Sequence, residues 1–315
     1  MTLSTFAFVF PGQGSQKVGM LKDAYDASGA VRETFAEASE AVGYDMWSLI
    51  QTGEQSALNM TETTQPVLLA SSVALWRAWV EQGGAMPALM AGHSLGEFTA
   101  LVCAGALGFA DAVSLVRQRG AFMQTAVPVG EGAMAAIIGL DDATINETCE
   151  EVARQAGVVA AVNFNSPGQV VIAGEAGAVE QAIAALKVAG AKRAMPLPVS
   201  APFHTSMMKP AGEKLAEVLS GISLSTPMIP VVHNVHAGLE SDVETIRSLL
   251  VEQIYSPVQW TRCVETMVSK GVSHVVECGP GKVLSGLNRR IDKSLTSYNI
   301  EEPSALAEAL ASLSA

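Results

Sequence analysis

The segment Gly92-His93-Ser94-Leu95-Gly96 ends the short apolar run Leu89-Met90-Ala91 and passes straight into a helix-like stretch, Glu97 to Ala104. A strand that becomes a helix within a few residues belongs to an α/β fold, in which helices return over the faces of a largely parallel sheet. Glycines at 92 and 96 leave room for the tight turn, because a side chain at either place would clash. The serine between them is then exposed at the apex of a nucleophile elbow. The N–H of Leu95, at the positive end of the following helix, is aimed at an oxygen that becomes negative during attack. An ordinary glycine-flanked turn is the competing reading, and the strand and helix around Ser94 favour the elbow.

The pattern around the elbow supports the same class. Phe6-Ala7-Phe8-Val9-Phe10 reads as a buried strand. The loop Pro11-Gly12-Gln13-Gly14-Ser15 follows it, then helical segments at 30–42 and 66–82. The second of these has Thr63 and Thr64 as cap candidates, Pro66 in its first turn and Gly83-Gly84 as its stop. A further helix runs from about 109 to 126. After Pro128-Val129-Gly130 the pattern changes to strand 133–139, helix 141–156, strands 158–164 and 169–173, helix 176–189 and a proline-broken strand 191–199. The order β-α-β-β-α-β is that of a ferredoxin-like unit. It is expected as an inserted α+β domain over 128–198, about 70 residues, a workable size for a satellite domain. Residues 1–127 and 199–315 would form the larger, hydrolase-like α/β domain with a parallel sheet, strands recurring at 229–232, 272–277 and 296–299.

Composition narrows the function. Among 315 residues, 49% hydrophobic, the net charge is −12, which disfavours nucleic acid and an anionic membrane as partners. An acidic protein partner would need a local basic patch; Lys192/Arg193 and Arg289/Arg290 are candidates, against the reading of solvated surface charge. The four cysteines show no CxxC and read as buried apolar residues of a reducing compartment. The N-terminal apolar run is too short for a signal sequence and has no basic residue before it, and no stretch reaches the length of a membrane span, so the chain is read as cytoplasmic. The lack of a long exposed apolar stripe points to a monomer.

A serine nucleophile needs a base, and five histidines are available. His93 sits on the elbow, where its ring projects away from the hydroxyl and shapes the turn. His204 lies in the loop Ser200-Ala201-Pro202-Phe203-His204-Thr205-Ser206, just past the inserted unit, where clefts form. It follows the serine in the order of hydrolase-like folds. The residues alone leave His204, His274 and the His233/His236 pair all open. No HExxH occurs, and His233-x-x-His236 has no carboxylate or cysteine at ligand spacing, so a metal is not expected.

Arg119 falls inside the apolar stripe Ala112, Leu115, Val116, Phe122 and Met123 of its helix, whereas Arg117 falls on the polar side. A buried guanidinium is costly unless paired. Its partner is either an internal acid or a bound anion, and a planar fork near a nucleophile suits the far carboxylate of an acyl group. The fork and the Ser94 hydroxyl are then expected about the span of a three-carbon diacid apart. Gly12-x-Gly14 has Lys17 where a dinucleotide fingerprint needs glycine, and Gly279-Pro280-Gly281-Lys282 is no P-loop. The first of these loops can still supply a second oxyanion donor, the N–H of Gln13.

Taken together, the residues resemble the malonyl-CoA:acyl carrier protein transacylases of bacterial type II fatty acid synthesis. The segments that carry the resemblance are Phe10–Gln16, Thr64-Gln65-Pro66, Gly92–Glu97, Arg117–Gly120, Asn163–Gln169, Phe203-His204 and Glu277–Gly281. It implies Ser94 as nucleophile, His204 as base, Arg119 as carboxylate clamp, and the N–H groups of Gln13 and Leu95 as oxyanion hole. It also implies that the main-chain carbonyl of Gln253, rather than an acid, orients the histidine. Phe203 would crowd an α-methyl branch, and Asn163 and Asn165 would border the cleft, with Met123 and His93 completing the lining. The implied substrates are malonyl-CoA and holo acyl carrier protein, with no metal, nucleotide or flavin. A serine esterase or thioesterase, sharing elbow and base, is the alternative.

Overall fold

The computed structural model describes residues 5–199 and 201–313; Ser200, in the loop leading to His204, lies outside the described residues. The described residues form nine strands: β1 (Phe6–Phe10), β2 (Leu89–Gly92), β3 (Gly132–Ile138), β4 (Val159–Ser166), β5 (Gln169–Glu175), β6 (Arg193–Pro196), β7 (Val231–Val232), β8 (His274–Glu277) and β9 (Thr296–Asn299). The five outside the 132–196 stretch make one sheet in the order β7-β2-β1-β8-β9. Every pair in it is parallel.

The all-apolar β1 is central and buried on both faces, the condition under which a strand loses its polar alternation. Phe6, Phe8 and Phe10 point into one core, where the Phe8 ring meets Trp76 at 5.1 Å and Trp79 at 5.2 Å. Ala7 and Val9 point into the other, against Trp260, Val264 and Met267 of the helix Trp260–Ser269.

The helix bearing Trp76 and Trp79 departs from the sequence reading at its start. It spans Thr61–Glu81, so Pro66 lies in its second turn, and Thr63 and Thr64 are not its caps. Thr63 and Thr64 instead donate their N–H groups to Met60 O, and the Thr64 hydroxyl bonds Leu58 O. Tertiary packing supplies the extra turn: Gly120 of the helix Phe109–Thr125 approaches so closely that a Cβ there would lie 2.5 Å from Thr61 O. The helix stops where expected, with Gly83 in the left-handed region.

The second sheet has the order β4-β5-β3-β6, antiparallel throughout. With the helices Asp142–Ala156 and Ala176–Val188 it is the ferredoxin-like arrangement expected from the β-α-β-β-α-β order, around its own core of Ile137, Ile145, Val170 and Ile172. Asp141 is the cap of the first helix, accepting from the Thr144 N–H at 2.9 Å. The edge strand β4 is stitched to the segment before Trp260 by Phe164 N–H to Val258 O (3.0 Å) and Val258 N–H to Val162 O (2.8 Å). That seam brings Asn163 and Asn165 to the C-terminal end of the parallel sheet, the usual location of sites in such folds. All four cysteines are free and buried, and no helix among the described residues is long and apolar enough to cross a membrane.

Candidate active site

β2 runs into Ser94 with φ 51° and ψ −106°, a strained conformation for a non-glycine residue, and the helix Leu95–Cys103 starts immediately after it. The turn is this tight because the backbones touch. A Cβ on Gly92 would lie 1.9 Å from the Gly96 carbonyl, and one on Gly96 would lie 2.1 Å from Phe10 O. The strain is held by hydrogen bonds to both main-chain groups of the serine: its N–H donates to Asn234 Oδ1 (2.7 Å), and its carbonyl accepts from Gln253 Nε2 (3.0 Å). As first residue of the helix, Leu95 has no intrahelical acceptor for its N–H. Gln13 is exposed and follows Gly12, which packs so tightly under the elbow that a Cβ there would lie 2.5 Å from His93 O.

Among the open candidates for the base, the structure brings His204 to the serine. Its Nε2 lies 2.9 Å from Ser94 Oγ, and its Nδ1 lies 2.8 Å from the Gln253 main-chain carbonyl. A carbonyl only accepts, so Nδ1 carries the proton and Nε2 offers a lone pair to the hydroxyl. His204 also has positive φ, 64°. Burial pushes its pKa down to about 3, the nearby Arg119 charge adds to this, and the Gln253 carbonyl opposes it. The ring is therefore neutral at physiological pH, as a base must be. His274 bonds its neighbour Ser273, His236 accepts from the Gly238 N–H, and His233 is buried against Glu97. His93 turns away from the hydroxyl, its Nε2 2.8 Å from Asn165 Oδ1 and its ring against Trp260.

Arg119 is 1% exposed. Its partners are neutral oxygens: Nη1 donates to Gln65 Oε1 (2.7 Å), and Nη2 donates to Gln253 Oε1 (2.8 Å) and Ser94 Oγ (3.2 Å). Nε is buried with no partner. Arg119 belongs to no ion pair among the described residues; the fork lies over the Phe98 ring at 5.1 Å. Burial pulls its pKa down to about 10, with the charge of Glu97 acting the other way. The internal-acid alternative thus fails at contact distance. The expected spacing also changes: fork and hydroxyl are in direct hydrogen bond, not a diacid's length apart.

Phe203 and Met123 are buried, Met123 with its sulfur 3.8 Å from Gln65 Nε2. Asn163 Oδ1 is buried and unpartnered, on the strand whose Asn165 holds His93. Sequence reasoning gave no role to Gln65, Asn234, Glu97 or the side chain of Gln253, and weighed His233 only as a base or metal ligand, not as the partner of Glu97. Glu97 was findable by the logic applied to Arg119: it is a lone acid in a helix buried from Leu95 to Leu101. Asn234 had no local signal.

Strained serine, carbonyl-oriented histidine and a buried cation without an acid partner, on an α/β scaffold, are the setting of an acyl-transferring enzyme. The chain belongs to the acyl transferase family, whose domain model matches residues 7–304. It is 60% identical over 308 residues to a malonyl CoA-acyl carrier protein transacylase from Salmonella typhimurium, covering 98% of this chain and 99% of that one. Among solved structures it is similar to the malonyl CoA-acyl carrier protein transacylase of Coxiella burnetii (TM-score 0.98, 45% identity, 99% of each chain). It is also similar to a malonyl-transacylase solved in complex with its type II PKS acyl-carrier protein (TM-score 0.96, 55% identity, 98% of this chain and 100% of that one).

Proposed function

We propose that this enzyme transfers the malonyl group from malonyl-CoA to the phosphopantetheine thiol of an acyl carrier protein, by a ping-pong route through a malonyl ester of Ser94. The observation that carries the reading is the Arg119 fork, buried without an acid and bonded to the nucleophile itself. A generic esterase has no use for such a cation.

His204 Nε2 takes the Ser94 proton as Oγ attacks the thioester carbon. The N–H groups of Leu95 and Gln13 hold the resulting oxyanion, each worth on the order of 10²–10³ in rate. Collapse breaks the C–S bond, and the coenzyme A thiolate leaves with the proton from His204. The carrier thiol then gives its proton to His204, attacks the serine ester, and the steps run in reverse. Arg119 grips the distal carboxylate throughout, and Phe203, beside His204, excludes a branch at the α-carbon. The reaction balances with these residues and its two substrates.

For an acidic partner, the basic pairs read in the sequence supply a landing site: Lys192, Arg193 and Arg290 line one groove with Gln169, whose Oε1 accepts from Arg290. The buried, unpaired cysteines support a reducing, cytoplasmic setting, and the reading includes a monomer. Intact-mass measurement after mixing with malonyl-CoA is the test. A malonyl adduct is expected on the wild type, absent in Ser94→Ala, and cleared by holo carrier protein. An adduct on another residue, or one released only to water, overturns the assignment.

A further inference from the structure

Gln253 is bonded through three separate groups to three parts of the site. Its main-chain carbonyl accepts from His204 Nδ1, its Oε1 accepts from Arg119 Nη2, and its Nε2 donates to the Ser94 carbonyl and to Glu97 Oε2 at 2.7 Å. The orientation of its amide is fixed by its surroundings. A flipped amide would set N–H against a guanidinium and oxygen against a carboxylate and a carbonyl.

Glu97 anchors that arrangement. Its Oε1 faces His233 Nδ1 (2.7 Å), and its Oε2 accepts from the Asn234 N–H (3.0 Å) and from Gln253. Two N–H donors thus converge on Oε2, one of them from Gln253. One amide stands between the buried acid and the buried cation. Its Oε1 takes up Arg119 Nη2 and its Nε2 takes up Glu97 Oε2, so the atoms through which acid and fork could otherwise pair directly are both engaged by one neutral group.

Resting on the malonyl reading above, we propose that the Gln253 side chain, set by Glu97, is a positioning residue that holds Arg119 ready for the substrate carboxylate. The Gln253 side chain is thus a determinant of selectivity for diacid over neutral acyl thioesters. This role is separate from that of its main-chain carbonyl toward His204, which any residue at 253 can supply.

The test compares kcat/KM for malonyl-CoA and acetyl-CoA in wild type, Gln253→Met and Gln253→Glu. Methionine keeps the length and removes the amide. The malonyl-to-acetyl ratio is expected to fall by about 10–100-fold, the loss of one hydrogen bond to a charged group, mainly through a higher malonyl KM. Glutamate places a carboxyl on Arg119 and competes with the substrate. The ratio should fall further, then recover as pH drops and the introduced carboxyl takes a proton, a response that a merely structural residue would not give. If both variants keep the wild-type ratio, or lose both activities in proportion with no recovery at low pH, the proposal is wrong. The wild-type adduct on Ser94 is measured alongside. Its absence sinks the malonyl reading itself, whereas its presence with unchanged ratios sinks only the role of Gln253.

Discussion

Replacing Arg119 by alanine is the most direct test of the chamber, because its effect on two substrates can be worked out separately. In the free enzyme, Nε–H has no acceptor and one Nη2–H is occupied by Ser94 Oγ at 3.2 Å. A malonyl carboxylate that takes both donors gains two hydrogen bonds between full charges, about 1.5–3 kcal/mol each. Together these amount to about 3–6 kcal/mol, or roughly 10²–10⁴ in malonyl kcat/KM. The substitution has other consequences. It leaves Gln65 Oε1 and Gln253 Oε1 without their donor, and it removes a desolvated charge. Those effects act on every acyl donor alike and cancel in the malonyl-to-acetyl ratio. The assay is therefore transfer to holo carrier protein from malonyl-CoA and acetyl-CoA in parallel, with thermal melting to confirm folding. A ratio that falls by less than about tenfold is below what two such bonds must carry, and would refute the clamp. Arg119→Lys should recover only part of the ratio, since an ammonium offers a point charge and no fork.

The remaining expectations concern protonation and the elbow. With the His204 pKa near 3, the base stays neutral through mildly acidic pH, so the acid limb of kcat/KM lies well below the ordinary histidine range; a limb near 6.5 would contradict the burial argument. The same shift lowers stability in acid: between about 6.5 and 3 the unfolded chain holds a proton on this histidine that the folded one refuses, so melting temperature falls across that window, and a His204→Gln variant should show less of the fall. At the alkaline end, Arg119 gives up its charge near pH 10, and malonyl transfer should fall there more steeply than acetyl transfer. Gly92→Ala sets a Cβ 1.9 Å from Gly96 backbone atoms that cannot move aside, and urea unfolding should show a loss of about 1–3 kcal/mol or more, with loss of the Ser94 adduct. Wild-type stability in that variant would mean the elbow is looser than its geometry.

Much of this site was legible before any coordinates, for local reasons. Gly92 and Gly96 announce a turn that only backbone contact requires, and the run from Phe6 to Phe10 announces a strand covered on both faces. The β-α-β-β-α-β order dictates the small sheet, since right-handed crossovers leave few ways to pair four such strands. Arg119 declares itself because a charge inside an apolar stripe breaks a period; Glu97, in the first turn of the elbow helix, is a charge of the same kind that the sequence reading passed over. Helix ends were less legible: Thr61 begins its helix because Gly120 packs against it, a contact with no trace in the residues around Pro66.

Which histidine serves Ser94, what faces the Arg119 fork and how the strained serine is held were decided only by the folded chain. His204 and Gln253 are 110 and 159 positions from Ser94, and Asn234 is 140 away. Periodicity reports how one segment divides its residues between core and solvent. It carries nothing about which ends of distant segments meet. Hydrogen bonds are short and directional, so partners in a buried network become identifiable only once parallel strands and crossing helices have placed their ends within about 3 Å of one another.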